Sequence, residues 1–401
     1  MGKIGLVLSG GGAKGAYEAG VVKALIDARI KFDVIAGTSV GGLNAVLIAA
    51  NQIDDLITVW VEKITNNDAI FVLNGKLKLN PLLLLLPIIF IKGKIIKILS
   101  RLGSIVDSSP LQNLLKHTIN YNNLKSSGNR LILTGTNLQI GSEETFVKAE
   151  NGKFFIKRKG WVKEIKEEDF EKMAISATIA TSAIPVAFNP EVISGYQYVD
   201  GGIGNNTPLL NAIEAGCKDI FTVLIKPPSR TPLDTKFDNL FSIGGRAIEI
   251  LIESTTEEDF KHAKLINDVI INYQKMVDGI DFILNKVKDK EVVTEIQKVI
   301  NKSFPFENKG LINNIVVQPD KDIELGLLDF SPEKLKKAVS QGYQDGCKKL
   351  EELTDEKLEE LNAKRLECVA CQYEVGCEGK KIDSKFYAAI DRLIGKVESK
   401  K

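Results

Sequence analysis

The sequence predicts an α/β fold with a mostly parallel central sheet and helices on both of its faces. Three observations predict it. Short apolar runs alternate with helix-period segments through the first two thirds of the chain, a pattern that builds parallel sheets covered on both sides. The 401 residues, 44% of them hydrophobic, suffice for one large α/β domain or one domain plus a tail. Two glycine-rich turns, Gly10 to Gly15 and Gly37 to Gly42, each follow a strand-like run and open a helix-like one.

Taken in order, Ile4 to Leu8 reads as a strand and Lys14 to Ala28 as a helix, with Val21, Val22, Leu25 and Ile26 on one face. Asp33 to Ala36 reads as a second strand, and Val40 to Ala50 as a helix of small residues. The stretch Asp107 to Ile119 predicts a helix with Ser109 as N-cap and Pro110 in its first turn. "RLILTGTNL", "DIFTVLIKP" and "INNIVVQPD" are strand candidates. Between the last two, the pattern from Phe237 to Phe304 is helical and charged, which predicts a helical insertion over 237–310. Ser331-Pro332-Glu333 starts a further helix, with an acid near its positive end. Thr354 opens a charged helix, and Lys380 to Lys401 reads as a short polar one. The expected division is a catalytic unit over 1–352 and a charged, cysteine-containing helical tail over 353–401; no internal repeat is present.

Charge and hydropathy exclude some functions. With 53 basic against 52 acidic side chains, the net charge of +1 gives no long-range field for nucleic acid. The longest apolar run, Pro81 to Ile91, stops at Lys92 and is interrupted by Pro87, well short of the ~20 residues a spanning helix needs. The first apolar run breaks at Ser9, too early for an export-signal core, and Leu6 stands where a myristoylation motif needs Ser or Thr. The expectation is a soluble cytoplasmic protein with peripheral membrane docking. The apolar and basic segment 77–103 carries that docking, through residues 81–101 with Lys92, Lys94, Lys97 and Arg101 on headgroups, or else caps an acyl-chain tunnel.

The chemistry sits in the two glycine turns and one aspartate. Gly37-Thr38-Ser39-Val40-Gly41 fits G-x-S-x-G after a strand and before a helix, the context of a nucleophile elbow. A serine on so sharp a turn needs neighbours without side chains, here Gly37 and Gly41, and the helix behind it points its positive end and the Val40 N–H at developing charge. Gly10, Gly12 and Gly15 spell G-x-G-x-x-G, which serves either a dinucleotide pyrophosphate or an oxyanion. A dinucleotide site wants an acid at the carboxyl end of the second strand, but the nearby acid, Asp33, stands at its start. "GAKGAY" also lacks the Lys-Ser/Thr of a P-loop. The reading is therefore a loop of backbone amides, Gly10, Gly11, Gly12, Ala13, Lys14 and Gly15, facing a Ser39 nucleophile.

The serine needs a base, and the chain holds two histidines, His117 and His262. The order Ser39, Asp200, His262 suits a histidine triad on paper, but both histidines lie in helical stretches that predict structural or solvated positions. Asp200, followed by Gly201 and Gly202, is the better base, although the same residues also spell a plain turn. A bare carboxylate has a pKa of about 4, so a Ser–Asp pair requires a short direct hydrogen bond and strong oxyanion stabilisation.

These three motifs, in this order, resemble the patatin-like phospholipases. "LILTGTNLQIGSEETF", "AISATIATSAIPVAFNPEVISGYQYVDGGIGNNTPLLNAIEAG" and "LLDFSPEKLKKAVSQGYQDG" extend the resemblance over residues 1 to 350, with a divergent middle. It implies a three-layer α/β/α fold and a lipid acyl hydrolase that needs no metal or other cofactor. By position it implies Ser39 as nucleophile, Asp200 as base and Gly10 to Gly15 as oxyanion hole. The family's loop often opens with Asp and carries Arg before its last glycine; Ser9 and Lys14 stand there, and Lys14 keeps the charge without the planar fork.

The expected function is hydrolysis of fatty-acyl esters of phospholipids or related lipids. Acyl transfer on the same dyad, and a non-catalytic lipid-binding role on the same scaffold, stay open. So does the state of Cys347, Cys368, Cys371 and Cys377, four of the five cysteines: zinc ligands, a disulfide or, as the lack of an export signal favours, free thiols.

Overall fold

The computed structural model of the chain describes residues 2–73, 106–185, 187–228, 236, 238, 240–287, 290–303 and 311–361. Its first part runs β1 (Lys3–Leu8), α1 (Gly15–Asp27), β2 (Val34–Gly37), α2 (Val40–Ala49), α3 (Ile53–Thr58), the short pair β3 (Val72–Leu73) and β4 (Val106–Asp107), α4 (Ser109–Thr118) and α5 (Tyr121–Ser126). Then come β5 (Arg130–Asn137), β6 (Ser142–Lys148), β7 (Phe154–Arg158), β8 (Trp161–Ile165), α6 (Phe170–Thr181), β9 (Glu191–Ile193), β10 (Tyr196–Asp200), α7 (Leu209–Glu214) and β11 (Cys217–Val223). The last are α8 (Leu240–Leu284), α9 (Lys290–Ser303), β12 (Asn313–Val317), α10 (Pro332–Glu352) and α11 (Asp355–Glu360). The expected docking segment 77–103, the Lys380 to Lys401 helix and Cys368, Cys371 and Cys377 lie outside the described residues.

The main sheet is ten-stranded. Its core runs in the order β12-β11-β1-β2-β5, every neighbouring pair parallel. An antiparallel extension, β6-β7-β8, continues from β5, and β10 also pairs antiparallel with β5. Side chains alternate between faces as a strand period requires. Leu6 and Leu8 of β1, Ile35 of β2, Leu131 and Leu133 of β5 and Phe221 of β11 join one core with α1, α2 and α10. Val7, Val34, Ala36, Ile132 and Ile220 face the other core, with α7 and Ala263 of α8. This is the three-layer α/β/α arrangement.

One detail departs from the sequence reading. The residue capping α4 is Ser108, one position earlier than expected, and its side chain makes no capping bond. Asp107 supplies the acceptor instead: its Oδ1 takes hydrogen bonds from Ser109 N at 2.9 Å and Ser109 Oγ at 2.6 Å. The predicted helical insertion holds α8 and α9, and α8 is tied to the loop after β10. Thr255 Oγ1 donates to Gly202 O (3.2 Å) and accepts from Asn206 N (3.1 Å).

α1 and α10 touch backbone to backbone. A Cβ at Gly342 would lie 1.9 Å from Tyr17 O, and one at Gly20 would lie 2.0 Å from Val339 O. Neither neighbour is a flexible side chain, so the helices themselves must separate. Gly342→Ala is expected to destabilise the protein by about 1–3 kcal/mol or more, read as a lowered midpoint in urea unfolding.

Candidate active site

β2 ends at Gly37, and the chain turns through Thr38 and Ser39 into α2. Ser39 takes φ 54° and ψ −128°, a conformation L residues avoid, at a cost of about 1–3 kcal/mol that the surroundings must offset. They do so by close approach and by hydrogen bonds. A Cβ at Gly37 would sit 2.4 Å from Gly41 O, and one at Gly41 would sit 2.6 Å from Leu8 O. Ser39 N donates to Thr181 Oγ1 at 2.9 Å, and Thr38 Oγ1 donates to Asn205 O at 2.9 Å. Ser39 is thereby fixed at the carboxyl edge of the parallel strands, where open α/β sheets place their sites.

β10 brings Asp200 to the same edge. Its register against β5 pairs Asp200 with Gly135, and Asp200 N donates to Ala183 O at 2.9 Å. Ser39 Oγ donates to Asp200 Oδ2 at 2.6 Å, while Gly202 N donates to Asp200 Oδ1 at 2.8 Å. The carboxyl is fully buried. Burial pushes its pKa up to about 6, against the pull of the bonds from Ser39 and Gly202. A carboxylate poised there is a better proton acceptor at neutral pH than a solvated one.

The glycine loop divides its amides. Gly10 N donates to Asn206 O (3.2 Å) and Asn206 Oδ1 (3.1 Å). Ala13 N donates to Leu327 O, Lys14 N to Gly11 O, and Gly15 N to Gly12 O and Ala13 O. Among the described residues no acceptor is found for the N–H of Gly11, Gly12 or Val40. Of the six loop candidates this leaves Gly11 and Gly12, beside the Val40 N–H that the elbow reading already expects there. Gly12 has φ +58°, and a Cβ there would meet Leu327 O at 1.9 Å.

Asn206 and Thr181 hold this geometry and were not foreseen. Their signals, "GNN" after the aspartate and a threonine ending a helix, are too common to stand out. His117 and His262 are exposed, neither bonds Ser39 or Asp200, and His117 Nδ1 instead lies 2.7 Å from Asn113 O. Cys347 is buried in the core. No group of three or more His, Cys, Asp or Glu side chains fit to hold a metal occurs among the described residues. No helix among them is long and apolar enough to cross a membrane.

Ser39 lies between two cavities. The larger, about 660 Å³, is lined by Gly11, Lys14, Asp200, Asn206, Arg246 and Lys261 among others. Lys14 is half-buried there, which lowers its pKa against the pull of Asp322 and Glu249. The smaller, about 70 Å³, is apolar, with Val40, Leu43, Leu47, Trp60, Leu115 and Phe330 in its wall. Val40, Leu43 and Leu47 share one face of α2, so this cavity runs about 10 Å along the helix from the serine.

Residues 6–213 match the sequence model of the family described as patatin-like phospholipase. The lysophospholipase NTE1 of Kluyveromyces lactis is 25% identical over 238 residues, covering 57% of this chain and 13% of that protein. A 46-residue stretch is 54% identical to the lysophospholipase nte1 of Aspergillus terreus, 12% of this chain and 3% of the relative. The chain therefore matches only a small part of each of these longer proteins. Among solved structures, VipD from Legionella pneumophila is similar at a TM-score of 0.36 and 15% identity, over 88% of this chain and 67% of that one. With half of its length matched, in the region that holds Ser39 and Asp200, this chain belongs to the patatin-like phospholipase family.

Proposed function

We propose that the chain is a lipid acyl hydrolase that cleaves fatty-acyl esters of phospholipids or lysophospholipids through Ser39 and Asp200. The observation that carries this reading is the 2.6 Å contact from Ser39 Oγ to a buried Asp200 carboxyl. Ser39 Oγ attacks the ester carbonyl, and its proton passes to Asp200 Oδ2. The carbonyl oxygen takes the electron pair and is held by the N–H groups of Gly11 and Gly12. Protonated Asp200 then gives its proton to the leaving alcohol, and Ser39 is left acylated. Water attacks next, its proton going to Asp200, and collapse of the second intermediate returns that proton to Ser39 and releases the fatty acid.

The apolar cavity along α2 suits one acyl chain, and the wider one, with Lys14 and Arg246 in its wall, suits a charged head group. The names of the relatives support lysophospholipids as substrates. Incubation with lysophosphatidylcholine micelles and with phosphatidylcholine vesicles, products read by mass spectrometry, tests the reading. Fatty acid released by wild type but not by Ser39→Ala supports it; equal release by both refutes it.

The tunnel assignment has its own test. Leu47→Trp adds bulk two turns along α2 from the serine and is expected to lower kcat/KM for long-chain esters about tenfold or more. Short-chain p-nitrophenyl esters, which end before Leu47, should be cleaved at rates within about twofold of wild type. Equal loss on both would place the acyl chain elsewhere.

A further inference from the structure

A second buried carboxyl lies behind the site, and the mechanism does not use it. Glu18 of α1 is fully buried, three residues after the start of the helix that follows the glycine loop. Asn44 of α2, five residues after Ser39, is buried against it. Asn44 Nδ2 donates to Glu18 Oε2 at 3.0 Å and to Gly15 O at 2.9 Å, and Asn44 Oδ1 accepts from Trp60 Nε1 at 2.8 Å. Both amide protons and one lone pair of its oxygen are used. Glu18 Oε1 faces Ser9 Oγ at 3.5 Å, at the first residue of the loop.

These bonds join three parts that must hold one geometry. α1 begins where the amide loop ends, α2 begins at the nucleophile, and Trp60 and Asn44 both line the acyl cavity. We propose that Glu18 is a positioning residue: through Asn44 it locks α1 to α2, so that the Gly11 and Gly12 amides stay aimed at the oxygen of the carbonyl that Ser39 attacks. This rests on the hydrolase reading above.

The chemistry of the lock favours a neutral carboxyl. Burial drives the Glu18 pKa well above the ordinary carboxylate value, outweighing the bonds from Asn44 and Ser9. The carboxyl accepts from Asn44 Nδ2 at Oε2 and from Ser9 Oγ at Oε1; once protonated on Oε1, it faces a Ser9 oxygen that can accept in turn. An amide does the same with the same shape. An apolar side chain cannot, and it leaves Asn44 and Ser9 free to shift. Displacement of catalytic groups by about 1 Å costs about 10²-fold in rate.

The test compares Glu18→Ala, Glu18→Leu and Glu18→Gln on a lysophospholipid, with folding checked by circular dichroism and thermal melting. Leu keeps the core filled where Ala leaves a cavity, so one apolar variant should fold. The expected result is a kcat at least about tenfold lower in the folded apolar variant, KM within about twofold of wild type, and kcat restored in Glu18→Gln. A folded Glu18→Leu that turns over like wild type overturns the proposal, and so does a Glu18→Gln no better than Glu18→Leu. Fluorophosphonate labelling of wild type at Ser39, run alongside, separates the two levels. A labelled, active wild type with an unaffected Glu18→Leu removes only the positioning role, whereas a folded, unlabelled wild type removes the hydrolase reading and this inference with it.

Discussion

Ser39→Ala is expected to lower kcat for phospholipid hydrolysis by about 10⁴- to 10⁶-fold, the scale at which loss of a serine nucleophile abolishes acyl transfer. Binding should survive, because most of the wall of both cavities beside Ser39 is formed by other residues. Two features set the stability of this variant. It removes the hydrogen bond to Asp200 and leaves a buried carboxyl oxygen without its donor, which costs about 1–3 kcal/mol. It also keeps an L residue at φ 54°. Ser39→Gly relieves that backbone, so it should be equally inactive yet more stable than Ser39→Ala by about 1 kcal/mol. Denaturant unfolding of both variants, alongside fatty-acid release, separates strain from chemistry.

Asp200→Asn is the second large effect. It should lower kcat by about 10³- to 10⁴-fold, since an amide cannot take the serine proton. The wild-type pH profile follows from the same group. Asp200 must be ionised to accept a proton, so kcat/KM should rise with pH through about 6, where burial has pushed its pKa. Stability moves the other way. The ordinary aspartate pKa of about 4 applies to the unfolded chain, and the folded value is higher, so the folded state holds its proton more tightly. The contribution is fully present below pH 4 and is lost as pH rises from about 4 to about 6, by about 3 kcal/mol. Asp200→Asn should flatten both curves in that window. Wild-type kcat/KM unchanged between pH 5 and 7, with chemistry limiting, would contradict the role given to Asp200.

How much was legible in the sequence depends on how local each cause is. The strands from Lys3 to Leu8 and Val34 to Gly37 follow from short apolar runs beside glycines, and their helices lie within a residue or two of the expected bounds. The elbow was legible because a serine at φ 54° demands small neighbours at fixed spacing. Asp200 was legible from its strand and two glycines. Nothing in its immediate neighbours shows that it meets a hydroxyl 161 positions away.

The less legible features are tertiary. Which loop amides stay free depends on Asn206 and Leu327, far along the chain from Gly10 and Ala13. Glu18 reads in sequence as one more helix glutamate, until α2 sets Asn44 against it. The antiparallel β6-β7-β8 extension was missed for another reason. Its segments, such as "SEETFVK" and "WVKEI", carry enough charge to read as loop, because β8 is largely exposed at the sheet edge.

The claim on which the account rests is that an acyl group passes through the oxygen of Ser39. Wild-type protein mixed with a slowly turned-over acyl ester, quenched in acid within seconds, digested and analysed by tandem mass spectrometry would report it directly. The account predicts the acyl mass on Ser39 and none in Ser39→Ala. An acyl group found on another side chain, or fatty acid released at the wild-type rate by Ser39→Ala, would contradict it.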